Sequence, residues 1–358
     1  MRRLPPSTVD LSRVAELDQA GQHSQALDLL HSASRNSDPT AMTMLGARLI
    51  RGALAPYQPE AGARWLIRAG ETGGPASRRL ASALIAAGIG EPCNLHRALD
   101  ELLKAAIGGS AAARQELAAL STIEGMSARL KSAEAISENA LTHARRSIDP
   151  AAWTRVTAPE VLSESPPVRV YRRFIPSAAC DWIRECAAGR LQQTAVVGAD
   201  GAGNRSLGIR TARGAGFGVL ESDVVMAMVR ARLAAATGLA TPCFEPPNVL
   251  HYAPGQRYEP HFDFFNTSVP QLAQVVASGG QRIATALIYL NDDYEGGETD
   301  FPELGVRFKG QVGDALVFWN VDASGHGDPR TVHAGLPPTS GGKWLLSQWI
   351  RDRPQPIV

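Results

Sequence analysis

Two histidines and one aspartate in the C-terminal half of the chain have the residue types and the spacing of metal ligands. His261 and Asp263 stand two positions apart in HYAPGQRYEPHFDFF, and residues i and i+2 of an extended strand project to the same face. His333, 72 residues further on in DPRTVHAG, offers a third ligand. Two histidines and one carboxylate leave open positions on a divalent metal, as in non-haem Fe(II) oxygenases, and catalytic zinc with the same ligand types is the alternative.

Lys343 favours the first of these two chemistries. It follows His333 by ten residues and begins the run KWLLSQWI, which has the composition of a strand. A lysine buried on the inner face of a barrel is costly unless an anion pairs with it. The sequence therefore predicts a bound carboxylate, such as the distal end of 2-oxoglutarate, for which a zinc hydrolase has no need.

Short strands must position these four residues. Apolar or alternating runs, separated by Gly and Pro turns, occur at 248–252, 282–290, 305–309, 314–320 and 343–350. A first strand is predicted at 168–171, and helices are predicted at about 177–188 and 222–236. This pattern predicts a β-sandwich or barrel with flanking helices, whose ligands come from distant segments of sequence.

Six ordered motifs resemble the catalytic core of the prolyl 4-hydroxylase family of Fe(II)/2-oxoglutarate dioxygenases. They are YAPGQRYEPHFD, RIATALIYLND, GGETDFPELG, GDALVFWN, GDPRTVHAG and GKWLLSQWIR, and they span residues 252–351. A weaker similarity upstream extends the match to about residues 168–353, more than half of the chain. Six motifs in the correct order are far more specific than a single HxD. The resemblance implies a double-stranded β-helix, or jelly roll, for this half of the chain.

The same resemblance implies the roles of the four residues. His261, Asp263 and His333 would ligate Fe(II) and form the catalytic centre, and Lys343 would pair with the 5-carboxylate of 2-oxoglutarate. O₂ is the remaining reactant that the resemblance implies, with ascorbate as an optional addition. The implied reaction inserts oxygen into an unactivated C–H bond and releases succinate and CO₂.

Further positions match the family around this centre. Tyr252, Tyr289 and Thr285 match residues that line the cosubstrate pocket, and the last two share one strand face by period two. Trp349 has the same strand parity as Lys343, so it would either wall the pocket or be a core aromatic. Arg210 is a candidate substrate contact. Residues 199–206, just before it, are predicted to be a lid over the substrate or an ordinary hairpin.

Other signals are assigned no chemistry. The glycine-rich stretch 196–211 lacks the GK[ST] ending of a phosphate loop, so nucleotide binding is disfavoured. His251 and His326 are predicted to be structural, because His251 has the opposite strand parity to Tyr252 and His326 lies in a glycine-flanked loop. Glu298 and Asp300 flank a turn without a histidine partner.

The N-terminal half carries a helical repeat. GARWLIRAGETGGPASRRLA from Gly62 and RALDELLKAAIGGSAAARQELA from Arg97 place Ala63 and Ala98 35 residues apart, and a weaker copy precedes them. Each unit is predicted to be a helix, a polar turn and a second helix. The pattern resembles Sel1-like and tetratricopeptide repeats over about residues 10–120. Such repeats would present a concave surface to a peptide or protein partner, or only stabilise the second domain.

Composition and helix-breaking residues divide the chain. Residues 1–150 contain only two aromatic residues, whereas the rest of the chain contains the other 19. The helical pattern continues over 121–144 and breaks at Asp149-Pro150. We predict an α+β protein with an α-helical repeat domain over residues 1–150, a linker over 151–167 and a jelly-roll dioxygenase domain over 168–358.

Charge and cysteine usage exclude several classes of protein. Lys and Arg number 36 and Asp and Glu 35, so bulk charge indicates no nucleic-acid partner. Four cysteines without a CxxC pair argue against a structural zinc and a disulfide scaffold. No run of 18 apolar residues and no signal peptide are present, so we expect no membrane partner and a cytoplasmic location.

The predicted function is an Fe(II)- and 2-oxoglutarate-dependent hydroxylase acting on a proline or proline-like residue. Peptidyl proline is the substrate that the resemblance favours. The alternative is a hydroxylase of a free cyclic amino acid, of the proline or pipecolic acid type, in natural-product biosynthesis. A non-catalytic oxygen or 2-oxoglutarate sensor is disfavoured because all four site positions are present.

Overall fold

The computed structural model describes residues 11–131, 136–193 and 210–358. Backbone contacts divide them into two compact units. The first, called here the helical unit, contains the described residues up to Trp153 together with Gly218–Met228 and Ile357–Val358. The second, the sheet unit, contains the described residues of Thr154–Phe217 and Val229–Pro356.

The helical unit is built from short helices, most of which pack against the next helix along the chain. They are α1 (Ser12–Gln19), α2 (His23–Arg35), α3 (Pro39–Arg51), α4 (Pro59–Thr72), α5 (Pro75–Ala87), α6 (Leu95–Ile107), α7 (Ala111–Leu120), α8 (Met126–Lys131), α9 (Glu138–Ser147) and α10 (Pro150–Thr154). Apolar positions at helical spacing bury one stripe of α2, α3, α4 and α6, whereas residues 81–86 of α5 and 116–120 of α7 are buried without interruption.

Caps and small residues explain where these helices begin and how closely they pack. The side chains of Asp38 and Ser110 accept hydrogen bonds from backbone N–H groups in the first turns of α3 and α7. Between α3 and α4, a Cβ added to Gly62 would stand 2.6 Å from the carbonyl oxygen of Gly46. The two helix backbones therefore touch at a point where only glycine leaves room.

The 35-residue spacing in the sequence is a structural period. Ala63 in α4 and Ala98 in α6 are both fully buried. The second helices of these two repeats, α5 and α7, begin after the polar turns that the repeat pattern predicted. The prediction of helix pairs is confirmed for this part of the chain.

The helical stretch predicted over 121–144 is confirmed only for α8 and the part of α9 within it. Helix α7 ends at Leu120, residues 121–125 are not helical, and α8 is only six residues long. Gly125 has a φ of +73°, which a helix does not accommodate. Ser137 then starts α9 by accepting a hydrogen bond from the N–H of Ala140.

The sheet unit carries strands that follow the predicted runs. They are β1 (Glu160–Glu164), β2 (Pro167–Tyr171), β3 (Gln192–Gln193), β4 (Arg213–Gly216), β5 (Asn248–Tyr252), β6 (Tyr258–His261), β7 (Arg282–Tyr289), β8 (Glu295–Gly296), β9 (Thr299–Phe301), β10 (Val306–Phe308), β11 (Ala315–Trp319), β12 (His333–Gly335), β13 (Pro338–Ser340) and β14 (Lys343–Arg351). Three further helices are α11 (Ser177–Ala188), α12 (Val224–Thr237) and α13 (Pro270–Gly279).

Two antiparallel sheets form the jelly roll. The larger has the order β1-β2-β11-β7-β14-β5-β4-β3, and the smaller has the order β10-β9-β12-β6. A third sheet pairs β13 with β8. Aromatic and branched side chains from both larger sheets, among them Tyr289, Phe301 and Phe318, form one buried cluster. Strands distant in sequence are thereby fixed next to one another.

The predicted fold class is confirmed, with N-terminal helical repeats followed by a double-stranded β-helix with flanking helices. The predicted domain boundaries stay predictions. Within the predicted linker, 151–167, the structure has the end of α10 and the whole of β1, which pairs with β2. None of the helices in the described ranges is both long enough and apolar enough to cross a membrane.

Candidate metal centre and cosubstrate pocket

His261, Asp263 and His333 come together at one point of the sheet unit. Strand β6 ends at His261, β12 begins at His333, and the two histidines face each other in the antiparallel register. Their ligand atoms and that of Asp263 all lie within 4.8 Å of one another. The Nε2 atoms of His261 and His333 are 3.7 and 3.6 Å from the two carboxylate oxygens of Asp263. In the described part of the chain this is the group of residues that could hold a metal ion.

Backbone carbonyl groups set the orientation of both imidazole rings. His261 Nδ1 lies 2.8 Å from the carbonyl oxygen of Glu259, and His333 Nδ1 lies 3.0 Å from that of Thr331. Because a carbonyl oxygen can only accept, each Nδ1 carries the proton and each Nε2 presents a lone pair. Burial, followed by repulsion from His333, lowers the pKa of His261 to about 3. A neutral ring with a free Nε2 is the form that binds a metal ion.

The Asp263 carboxylate is buried but polar groups surround it. The hydroxyl of Thr285, on β7, donates a hydrogen bond to Asp263 Oδ2 at 2.7 Å. Burial by itself would raise the pKa of Asp263, but the neighbouring His333 and His261, and then Arg282, outweigh it and lower the pKa. The group is therefore a carboxylate, as a metal ligand must be.

Lys343 is almost completely buried, with 1% of its surface exposed. It faces Tyr252 across the β14–β5 pair, and its Nζ lies 5.6 Å from the ring centre of Tyr252 and 5.5 Å from that of Tyr289. Among the residues that the structure describes, it makes no hydrogen bond or ion pair. Burial lowers the pKa of Lys343 to about 7, against the attraction of Glu298. A buried ammonium group of this kind fits a carboxylate ligand.

One cavity connects the three possible ligands with Lys343. Its volume is about 410 Å³, a value that includes the solvent-filled space at the cavity mouth. Seven of the predicted site residues line it, namely Arg210, Tyr252, His261, Asp263, His333, Lys343 and Trp349. Thr285 and Tyr289 do not line it. The Tyr289 hydroxyl instead shares a hydrogen bond of 2.8 Å with the Thr299 hydroxyl.

Comparison with known proteins identifies the family. Residues 247–351 match the family model described as the 2OG-Fe(II) oxygenase superfamily. Over 226 residues the chain is 34% identical to "Probable prolyl 4-hydroxylase 6" of Arabidopsis thaliana, and the match covers 58% of this chain and 74% of that protein. The chain belongs to the prolyl 4-hydroxylase family.

Other known proteins are similar to part of the chain. "Prolyl 4-hydroxylase 1" of Arabidopsis thaliana is 34% identical and covers 54% of this chain and 72% of its own length. Among solved structures, the viral collagen prolyl hydroxylase of Paramecium bursaria Chlorella virus-1 is 27% identical, with a TM-score of 0.40, over 51% of this chain and 95% of that chain. A Sel1 repeat protein from Oxalobacter formigenes is 18% identical, with a TM-score of 0.29, over 42% of this chain and 64% of that chain.

Membership of the prolyl 4-hydroxylase family makes the chain a 2-oxoglutarate-dependent dioxygenase, as predicted. The chemistry of the family implies Fe(II), 2-oxoglutarate and O₂. The residues present fit these groups, since two imidazole nitrogens and one carboxylate are the ligand set of non-haem Fe(II) oxygenases. The buried Lys343 fits the anionic cosubstrate.

Two of the residues that line this prolyl 4-hydroxylase cavity have unused hydrogen-bond donors. Arg210 is 2% exposed, and its Nε and Nη1 have no partner among the described residues. Trp349 also lacks a partner for its Nε1 within those residues. The guanidinium of Arg282 lies 3.8 Å from the centre of the Trp349 ring, which holds the indole in place.

Sequence reasoning missed several residues of this site, among them Tyr258 and Asn320. Tyr258 lines the cavity and stacks on His261, with ring centres 3.4 Å apart. Its position in the motif YAPGQRYEPHFD was a signal that could have found it. Asn320 is fully buried and donates from Nδ2 to the Thr285 hydroxyl at 3.0 Å. It follows the end of β11, where strand periodicity no longer predicts which way a side chain points.

The residues that were assigned no chemistry lie outside the cavity lining. His251 packs against Trp344, with ring centres 4.5 Å apart, and burial lowers its pKa. His326 is exposed, and Asp300 pairs with Arg307. The segment 199–206, predicted to be a lid or a hairpin, lies outside the described residues.

Proposed function

We propose that this member of the prolyl 4-hydroxylase family hydroxylates proline residues in a polypeptide substrate. In this proposal His261, Asp263 and His333 hold Fe(II), and Lys343 binds the distal carboxylate of 2-oxoglutarate. The observation that carries it is the convergence of three ligand atoms, from the buried Asp263 and His333 and the half-buried His261, within 4.8 Å of one another in a cavity that also contains an unpaired lysine.

Each ligand is prepared for the metal by a neighbouring group. The Glu259 and Thr331 carbonyls keep the two imidazole rings in the Nδ1–H tautomer, so neither ring must rotate or lose a proton when metal binds. Fe(II) bound here, together with 2-oxoglutarate and O₂, supplies the oxidant for oxygen insertion into a C–H bond. The protein contributes ligand geometry, orientation of the reactants and exclusion of water.

Lys343 distinguishes the two ends of the cosubstrate. Its ammonium group lies against the rings of Tyr252 and Tyr289, which attract a cation weakly and bring no counter-charge. A carboxylate that enters the cavity is therefore the partner that neutralises Lys343. The opposite end of the cosubstrate would then face the metal ligands.

Arg210 and Trp349 are assigned to the substrate. Arg210 brings buried donors that remain free for a carbonyl oxygen of the substrate backbone. Trp349 presents an indole ring, whose apolar face suits the methylene groups of a proline ring. Both residues lie on the wall of the same cavity as the metal ligands, so a substrate that they bind would be next to the reaction centre.

The helical repeat is proposed to bind the protein partner that carries the proline. Sel1-like and tetratricopeptide-like repeats contain no chemistry of their own, and stacked helix pairs offer an extended surface to a peptide. The predicted domains, 1–150 and 168–358, would then divide recognition and catalysis. Limited proteolysis followed by mass spectrometry tests this division into domains, since cleavage is expected first within 155–159, between α10 and β1, and an uncut 155–159 segment would contradict it.

Reconstitution with Fe(II) tests the proposed reaction. The protein is loaded without oxygen, O₂ and 2-oxoglutarate are added, and succinate is measured with proline-containing peptides, with free L-proline and with its six-membered homologue. Succinate formation stimulated by a peptide, with a product heavier by one oxygen atom, is the expected result. Stimulation by the free imino acids alone would overturn the peptide substrate and support the alternative of a small-molecule hydroxylase. No stimulated turnover, with an intact metal site, would support a sensor.

A further inference from the structure

The Asp263 carboxylate has a hydrogen-bonded support that extends away from the cavity. We propose that Thr285 and Asn320 are positioning residues that hold Asp263 in its metal-binding orientation. This inference rests on the proposed function in one respect, namely that Asp263 is a metal ligand. It gives Thr285 a role other than lining the cosubstrate pocket.

The direction of the two hydrogen bonds is fixed by chemistry. Asn320 Nδ2 can only donate, so at 3.0 Å the Thr285 oxygen must accept from it. The single hydroxyl proton of Thr285 is then directed to Asp263 Oδ2 at 2.7 Å, and an ionised carboxylate can only accept. The chain Asn320, Thr285, Asp263 therefore has one consistent arrangement of protons. Without the Asn320 donor, the Thr285 hydroxyl proton could point in several directions.

This arrangement determines how Asp263 can bind a metal. Oδ2 already accepts a hydrogen bond from Thr285, which fixes the plane of the carboxylate. In this orientation the two carboxylate oxygens lie 3.7 and 3.6 Å from the Nε2 atoms of His261 and His333. Loss of the Thr285 hydrogen bond would let the carboxylate rotate away from the two imidazole rings.

Asn320 also connects Asp263 with His333. The backbone carbonyl oxygen of Asn320 accepts a hydrogen bond from the N–H of Asp328 at 3.0 Å. The backbone carbonyl oxygen of Asp328 in turn accepts from the N–H and the hydroxyl of Thr331. The carbonyl of Thr331 in turn orients the His333 ring. One buried asparagine is therefore tied to two of the three ligands, through its side chain to Asp263 and through its backbone to His333.

The side chain of Asn320 destabilises the fold in one respect, which points to a positioning role. Asn320 is fully buried, and within the described residues its Oδ1 has no hydrogen-bond partner. A buried acceptor without a partner destabilises the fold, whereas an apolar side chain of similar volume would not. The Nδ2 atom is the part of the side chain with a partner, and that partner is Thr285.

Metal titration tests the proposal with a readout other than turnover. Co(II) is added to the full-length apoprotein, and its dissociation constant and visible absorption spectrum are measured for the wild type, Thr285→Val, Thr285→Ser and Asn320→Leu. Val keeps the branched shape of Thr without the donor, and Ser keeps the donor. Loss of a group that supports a metal ligand typically weakens affinity by about 10- to 100-fold. We expect a loss of this size for Thr285→Val, a changed spectrum, and near wild-type values for Thr285→Ser.

Asn320→Leu separates metal positioning from a merely structural role. It should weaken Co(II) binding without lowering the midpoint of thermal unfolding of the apoprotein, because it also removes the unpartnered Oδ1. A matched control is Thr237→Val, which removes a threonine hydroxyl bonded to the carbonyl of Leu233 in α12. The control should bind Co(II) like the wild type.

Failure of this inference can be told apart from failure of the proposed function. If His261→Ala binds Co(II) as tightly as the wild type, the proposed metal site is wrong. If His261→Ala loses the metal but Thr285→Val and Asn320→Leu keep the wild-type affinity and spectrum, only the positioning role is overturned. If Thr285→Val does not fold, Asn320→Leu decides alone, and unchanged Co(II) binding in that variant overturns the proposal.

Discussion

Lys343 and Tyr252 face each other across the antiparallel pair of β14 and β5, with the Lys343 Nζ 5.6 Å from the centre of the tyrosine ring. The first residue of one strand is thereby placed over the last residue of the other. The ammonium group meets aromatic rings there and no carboxylate within hydrogen-bonding distance among the described residues. This relationship leaves the positive charge of Lys343 available to an anionic ligand.

Lys343→Ala should mainly raise the concentration of 2-oxoglutarate that the enzyme requires. Removing one partner of a buried ion pair leaves the other charge unpaired, which typically costs about 3–5 kcal/mol and corresponds to at least a hundredfold in binding. Steady-state succinate formation at varied 2-oxoglutarate gives the KM. Lys309→Ala, which removes a lysine bonded to the Tyr294 carbonyl outside the cavity, is the control. An unchanged KM in Lys343→Ala would remove Lys343 from the cosubstrate site.

His261→Ala should abolish 2-oxoglutarate turnover, because two ligands cannot keep Fe(II) in place at this site. Iron content after reconstitution and gel filtration should fall together with succinate formation. His326→Ala is the matched control, since the His326 side chain is 81% exposed and lies outside the cavity. Retained activity in His261→Ala would exclude His261 from the ligand set.

Tyr289→Phe tests whether the Tyr289 hydroxyl reaches the cosubstrate. That hydroxyl bonds to Thr299 at 2.8 Å and does not line the cavity. Its removal leaves the buried Thr299 hydroxyl without this partner, so we expect the free energy of unfolding to fall by about 1 kcal/mol. The KM for 2-oxoglutarate should stay close to the wild-type value, because the ring beside Lys343 is kept. A large rise in KM would place the hydroxyl in the cosubstrate site.

Arg210→Met should impair substrate binding more than cosubstrate turnover. Methionine keeps the length and apolar stem of the side chain but lacks the Nε and Nη1 donors that have no partner among the described residues. Loss of a charged hydrogen bond costs about 1.5–3 kcal/mol, so the KM for a peptide should rise roughly 10- to 100-fold. Succinate formed without peptide should change little. If the peptide KM stays constant, Arg210 does not contact the substrate.

Glu116→Gln should change the pH dependence of stability. Glu116 is fully buried in the helical unit, where it accepts hydrogen bonds from Arg79 and from the N–H of Val224. Burial, followed by repulsion from Asp223, raises the pKa of Glu116 from 4.5 to about 8. Between these two values the folded state keeps a proton that the unfolded chain releases, so the free energy of unfolding should fall as pH rises from about 4.5 to about 8.

Denaturant unfolding at several pH values measures this slope. Glutamine cannot ionise, so the variant should lose the part of the decline that Glu116 contributes in that range. Glu164→Gln, at an exposed position of β1, should keep the wild-type slope. An identical slope in Glu116→Gln and the wild type would contradict a protonated Glu116.

The three proposed metal ligands and Lys343 were predicted from strand periodicity together with the resemblance of six ordered motifs to the family. Residues two apart share a face, so spacing alone pairs His261 with Asp263. The same period placed Trp349 on the face of Lys343, and both line the cavity. Periodicity was insufficient for Thr285, which points to Asp263 and does not line the cavity. The register between strands decides what an inward-facing side chain meets, and sequence spacing does not specify that register.

The sequence by itself determined the class of chemistry, the two kinds of fold and the four residues proposed to bind the metal and the cosubstrate. These depend on residue type and on spacing within single strands or helices, which are local properties. Only the tertiary structure decided that His333 lies opposite His261, that Asn320 supports Thr285, and that the helix over 121–144 is interrupted. The two contacts are set by packing between distant segments, and burial decides which polar groups must find partners. The interruption includes Gly125, whose φ of +73° a helix does not accommodate.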